Sequence, residues 1–190
     1  MISYRQLFVA LSAAKIRYLV AGGVAVNLHQ VQRATADLDL ILHLERENLL
    51  QFAKLMTQLG YQPKAPVKGE DFADPLLRKI WITEKNMKVF SFIHLKNPYE
   101  LIDIFVEEPR PFAELEKNKL EIAAFGIIIP VLGIDDLKFD WGETPKLTPE
   151  ETLLWLDEWR AFTFEIWKCN PQQRKIWEDL KFASSAAGGT

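Results

Sequence analysis

"AGGVAVNLHQVQRATADLDLIL", residues 21–42, opens on a pair of glycines and closes on two aspartates set one residue apart in an apolar run. Side chains at i and i+2 of a strand share a face, so Asp37 and Asp39 are neighbours, with Cα atoms roughly 6.6 Å apart. Two unpaired anions at that spacing repel each other, and hard divalent cations that take carboxylate oxygens relieve the repulsion. Two carboxylates so placed reach a metal pair about 3.5–4 Å apart. A solvated strand end carrying ordinary surface charge is the competing reading of a lone Asp-x-Asp.

The residues upstream bear on that choice. Gly22 and Gly23 fall between an expected strand and an expected helix, where the lack of a Cβ lets backbone approach a ligand and helix N–H groups face an anion. The stretch matches neither Gly-x-Gly-x-x-Gly nor Gly-Lys-Ser/Thr, which argues against a dinucleotide fold and a P-loop. A tight turn is the ordinary explanation of a glycine pair. Its position one short helix before Asp-x-Asp favours a phosphate seat. A third carboxylate is available in "YELIDIFVEE", where Asp103 sits between Ile102 and Ile104 and is costly to bury without a partner. Glu100, Glu107 and Glu108 lie nearer the ends of that strand and read as solvated. Asp37, Asp39 and Asp103 are expected to converge at one sheet edge, beside the helix that follows Gly23.

Composition narrows the classes. The chain has 190 residues, 48% of them hydrophobic, enough for one sizeable core. With 23 Lys and Arg against 26 Asp and Glu, the net charge of −3 leaves no domain-wide basic surface for nucleic acid. One cysteine, Cys169, excludes an internal disulfide. No apolar run approaches the roughly 20 residues of a membrane helix, and a cytoplasmic protein is expected. His29, His43 and His94 share no ligand spacing.

Patterning alternates between helix and strand, which predicts a mixed α/β sheet. Helices are expected over 3–15, after Gly23, over 45–59 up to Gly60, from Asp74-Pro75 through 82, and over 111–118. Strands are expected at 17–21, 37–44, 88–95 and 100–107, with one or two more in 120–132. "DLDLILHL" is apolar on both faces and so predicts a central strand. Residues 62–74, rich in Pro, Gly and charge, predict a mobile loop or flap. "KFDWGETPKL" (138–147) reads as a linker, and Thr148-Pro149-Glu150-Glu151 has capping-box spacing ahead of a long helix. That helix is apolar on more than one face. It is expected to pack on the domain or to serve as a dimer or partner interface. This divides the chain into a domain at 1–137, a linker and C-terminal helices at 138–182, and a disordered tail at 183–190.

The stretch from Gly22 to Leu42 resembles the signature of the DNA polymerase β-type nucleotidyltransferase superfamily: Gly-Gly or Gly-Ser, a short helix, Asp-x-Asp, and a later strand aspartate. Gly22, Gly23, Ala25, His29, Arg33, Thr35, Asp37 and Asp39 are most similar to the branch of AbiEii-type toxins and minimal nucleotidyltransferases. "PVLGIDDL" is similar to a strand leading into a helix in that branch. There the helix carries a lysine, whereas prolines and loop residues follow Asp136-Leu137 here and Lys138 falls near that position.

The resemblance implies a mixed-sheet palm and transfer of an NMP from an NTP to a hydroxyl on an RNA 3′ end, a protein side chain or a small molecule. It implies two Mg²⁺ ions, with Mn²⁺ as a substitute. Asp37 and Asp39 would bind both metals, and Asp103 would hold the catalytic metal and assist deprotonation. Gly22, Gly23, Arg33 and Thr35 would bind nucleotide. A toxin–antitoxin-like setting is also implied, with a homodimer or an antitoxin-like partner on the C-terminal helix. The alternative is a non-catalytic nucleotide-binding or protein-interaction module of the same fold.

Overall fold

A computed structural model describes residues 3–30, 35, 37–137, 148–154 and 156–158. The first helix, α1 (Tyr4–Ala13), is opened by a capping box in which Ser3 accepts from the Gln6 amide and the Gln6 side chain accepts from the Ser3 amide. It buries Tyr4, Leu7, Phe8 and Leu11, the stripe its 3.6-residue period dictates. Then come β1 (Tyr18–Ala21), α2 (Gly22–Leu28), β2 (Asp37–Leu42) and α3 (Arg46–Gln58). They are followed by β3 (Tyr61–Pro63), α4 (Pro75–Lys85), β4 (Val89–His94) and β5 (Asn97–Phe105). Last come α5 (Phe112–Lys117), β6 (Leu120–Ala124) and β7 (Ile127–Val131). Among the described residues no helix is long and apolar enough to cross a membrane.

The seven strands form one mixed sheet in the order β3-β4-β5-β2-β1-β7-β6, so β2 is central as its two-sided apolar pattern predicts. It runs antiparallel to β1 and parallel to β5. Phe125 and Gly126 both take positive φ, 54° and 77°, the geometry of the two-residue turn that closes the β6–β7 hairpin with the twist its strands require.

The two faces of the sheet differ. Leu38, Leu40, Phe90, Phe92, Ile102 and Ile104 are buried under the helices. Phe52 of α3 meets Phe92 edge-on at 5.7 Å, and Trp81 of α4 stacks on Phe90 at 5.3 Å. The residues that alternate with them on β2, β4 and β5, Asp37, Asp39, Val89, Ser91, Asp103 and Phe105, are only half-buried. A strand at the centre of the sheet therefore carries charge on one side because that side opens to solvent at this end.

Two expectations are corrected. Residues 62–74 are not a loose flap: β3 adds an edge strand to β4, and residues 69–73 form a 3₁₀ turn that buries Phe72 against Phe90 at 4.9 Å. Arg78, buried on α4, donates to the Phe72 carbonyl at 2.6 Å and lies over the Phe72 ring, which ties the turn to the helix. The apolar Phe72 outweighs the polar composition around it. Glu100 is not solvated either: it is 0% exposed, accepting from Tyr61 at 3.2 Å and from Asn97 at 2.9 Å, with His94 at 3.9 Å. The β3–β4–β5 pairing closes over it, and the hydroxyl and amide replace its water.

Thr148 and Glu151 form the expected capping box: the Thr148 amide donates to Glu151 at 2.7 Å and the Glu151 amide donates to Thr148 at 3.2 Å. Bonding from the Thr148 backbone first, and its side chain second, holds the Glu151 carboxyl below the usual carboxylate range. Residues 149–154 and 156–158 are helical. Leu153 and Leu156 are fully buried, and Asp157 accepts from the Tyr4 amide at 3.1 Å, so this segment packs on the start of α1. The expected linker at 138–147, most of the expected C-terminal helices and the tail at 183–190 lie outside the described residues.

Candidate active site

The site is built where β1 gives way to α2. His29 at the C-terminus of α2 donates from Nε2 to the Leu132 carbonyl at 2.9 Å, which pins the far end of the helix beside β7. Asn27 donates to the Gly23 carbonyl at 2.8 Å from a buried position. The far end of the helix that begins with the glycine pair is thus fixed against the sheet, and the Asn27 bond braces its first turn from within.

Strand register brings the acidic residues together. Asp39 pairs with Asp103 across the parallel β2–β5 ladder, and with Ala21 across the antiparallel β1–β2 ladder. Register partners in adjacent strands share a face about 4.8 Å apart, so Asp39 and Asp103 are closer to each other than Asp37 is to Asp39 along its own strand. The three carboxylates lie on the half-exposed face, beside the start of α2. They sit at an end of interior strands β2 and β5, not on an edge strand. The Oδ1 atom of Asp103 is buried and has no hydrogen-bond partner among the described residues, an arrangement that is costly unless a cation or solvent meets it.

The glycines lie against the same side chains. Gly22 has φ of +58°, and a Cβ built on it would lie 2.9 Å from the Asp39 Cβ and overlap the Asp39 carboxylate. A Cβ on Gly23 would lie 2.6 Å from Thr35 Oγ1 and 2.7 Å from Thr35 Cβ. The space both residues leave is thus filled by Asp39 and Thr35. Thr35 Oγ1 in turn donates to Asp37, with Oδ1 at 3.0 Å and the backbone carbonyl at 3.3 Å. Arg33 lies outside the described residues.

Among the described residues no group of three or more His, Cys, Asp or Glu side chains is gathered closely enough to hold a metal as it stands. The donor types nonetheless suit a hard cation, and the unsatisfied Asp103 oxygen fits one.

Ser91 escapes a reading of the sequence. It is the register partner of Asp103 on β4 and shares the half-exposed face. The available signal was the alternation in "VFSFIH", which sets Ser91 opposite Phe90 and Phe92. Its nearness to Asp103 depended on the β4–β5 register.

No family model matches the chain, and no curated protein matches it. Solved structures of low identity resemble it, two of them over most of the chain. One, from Thermotoga maritima, is provisionally called a nucleotidyltransferase: it is 15% identical, over 92% of this chain and 90% of that one, with a TM-score of 0.46. The other is ANT(2″)-Ia in complex with adenylyl-2″-tobramycin, 15% identical over 96% of this chain and 95% of that one, with a TM-score of 0.43. At these values neither likeness bears on the chemistry of the site.

Proposed function

We propose that this chain is a divalent-metal-dependent nucleotidyltransferase that moves an NMP from an NTP to a hydroxyl acceptor. The observation that carries this reading is the pairing of Asp39 with Asp103 on one half-exposed face, with a buried Asp103 oxygen unsatisfied among the described residues, directly beside the glycine-led start of α2.

Asp37, Asp39 and Asp103 would hold Mg²⁺ or Mn²⁺. When bound, such ions neutralise phosphate charge and acidify an attacking hydroxyl. Asp103 receives the acceptor proton. Backbone N–H groups at Gly22 and Gly23 orient the triphosphate, with Arg33 as an added phosphate contact. The acceptor oxygen bonds to the α-phosphorus as the bond to the bridging oxygen breaks, and pyrophosphate leaves with its electron pair. Little covalent work falls to the protein, since positioning and charge neutralisation lower most of this barrier.

The acceptor belongs to one of three classes in this proposal: an RNA 3′ end, a protein side chain or a small molecule. The toxin–antitoxin-like setting, with a homodimer or antitoxin-like partner on the C-terminal helix, is part of the same proposal. A second reading, a nucleotide-binding or protein-interaction module without turnover, rests on the segment after Asp136-Leu137, where this sequence departs from the lysine-bearing helix of the branch it resembles.

Incubation with Mg²⁺, each α-labelled NTP and pools of the three acceptor classes tests the proposal. Label transfer with pyrophosphate release is expected from the native chain and none from Asp39→Asn. Equal transfer by Asp39→Asn overturns the site, and metal-dependent NTP binding without pyrophosphate release establishes the second reading.

A further inference from the structure

We infer that Thr35 is a positioning residue that sets the carboxylate of Asp37, and that Gly23 is a glycine in order to admit it. The inference rests on the reading of Asp37 and Asp39 as metal-holding residues, and it assigns Thr35 a task other than contact with phosphate.

Three contacts carry it. The Thr35 hydroxyl has one hydrogen, and among the described residues both acceptors within reach belong to Asp37: Oδ1 at 3.0 Å and the backbone carbonyl at 3.3 Å. The same side chain sits over Gly23 so closely that a Cβ there would meet Thr35 Oγ1 at 2.6 Å and Cβ at 2.7 Å. The second of these atoms is next to the backbone and cannot swing aside as the tip of a long side chain would. Threonine is stiff at χ1 because Cβ is branched, so the wall formed by Gly23 directs the hydroxyl at Asp37. A carboxylate held through Oδ1 by a hydroxyl that is itself walled in has lost rotational freedom. Its Oδ2 atom is not engaged by Thr35. A cation drawing on Oδ2 therefore meets a ligand whose ordering cost has already been met, the effect that residues behind a metal ligand exert generally.

Titration of the full chain with Mn²⁺, followed by electron paramagnetic resonance, tests this without relying on turnover. Thr35→Val keeps the branched shape and removes the hydroxyl. Its Mn²⁺ affinity is expected to fall about 10-fold, the lower end of the usual range for such partners. Thr35→Ser, which keeps the hydroxyl, is expected to rescue most of that loss. Gly23→Ala is expected to weaken Mn²⁺ as Thr35→Val does, although the hydroxyl is still present, because the wall moves.

Loss of binding in Asp39→Asn together with native affinity in Thr35→Val overturns this inference and leaves the site intact. Native affinity in Asp39→Asn overturns the site and the inference together. Weakened ATP binding by Thr35→Val at saturating Mn²⁺, with Mn²⁺ affinity unchanged, makes Thr35 a phosphate contact and also overturns the inference. Thermal melts accompany each variant, and should Thr35→Val unfold, the contrast between Thr35→Ser and Gly23→Ala decides.

Discussion

Gly22 and Asp39 share one space: the carboxylate of Asp39 occupies the position that a side chain on Gly22 would take, and Gly22 has a left-handed backbone that L side chains rarely adopt. The glycine and the aspartate are therefore one device, 17 residues apart in sequence and brought together where the β1–β2 ladder ends at Ala21 and Asp39.

Gly22→Ala is expected to damage both the fold and the site. The left-handed backbone alone costs a non-glycine residue roughly 1–2 kcal/mol. For a chain of this size that lowers Tm by roughly 2–8 °C. Displacement of Asp39 is expected to remove Mn²⁺ binding beyond what the fraction unfolded explains. A variant that loses stability yet binds Mn²⁺ normally when folded would separate Gly22 from the site.

Glu100→Ala is expected to destabilise by about 1–3 kcal/mol, the usual cost when a buried donor loses its acceptor. It strips a hydrogen-bond partner from both Tyr61 and Asn97 and leaves a void at the β3–β4–β5 junction. Glu100→Gln keeps the volume and one acceptor and should cost less. Urea unfolding of both variants measures the difference. Equal midpoints for Glu100→Ala and the native chain would show that solvent replaces the carboxylate without penalty.

Tyr18 links stability to alkaline pH. Its side chain is buried, its hydroxyl has no partner among the described residues, and desolvation pushes the phenol above its ordinary value. The folded state keeps the proton where the unfolded chain releases it. Stability is thus fully present below the ordinary phenol value of about 10 and falls as pH rises beyond it. Tyr18→Phe is expected to flatten this alkaline limb while leaving neutral-pH stability equal or higher, since a buried hydroxyl without a partner is lost. Thermal melts from pH 7 to 11 provide the comparison, and an unchanged alkaline limb would acquit Tyr18.

The cap of α4 offers a local test. Asp74 accepts from the Leu76 amide at 2.8 Å and from the Leu77 amide at 3.4 Å, with Pro75 at the first helical position. Asp74→Ala is expected to cost about 1 kcal/mol. Asp74→Ser should restore most of it. Because α4 holds Arg78 against the Phe72 carbonyl, hydrogen exchange in residues 69–73 is expected to quicken along with that of the helix.

Much of this protein was decided within short stretches of its sequence. The capping box at Thr148 and the Asp74-Pro75 start are visible because a cap is a contact between residues two or three apart. The central place of β2 follows from its apolar residues on both faces, and the common face of Asp37 and Asp39 follows from the strand period of two. Tertiary structure decided the rest. The pairing of Asp103 with Asp39, the nearness of Ser91, the burial of Glu100 and the closure of residues 69–73 over Phe90 each depend on strand register or on packing between distant segments. Local sequence determines which face a residue occupies, because backbone geometry sets that within a few residues. What faces it is settled only when segments far apart in the chain align and pack, and a one-residue slip of a strand would turn all of its side chains to the other face.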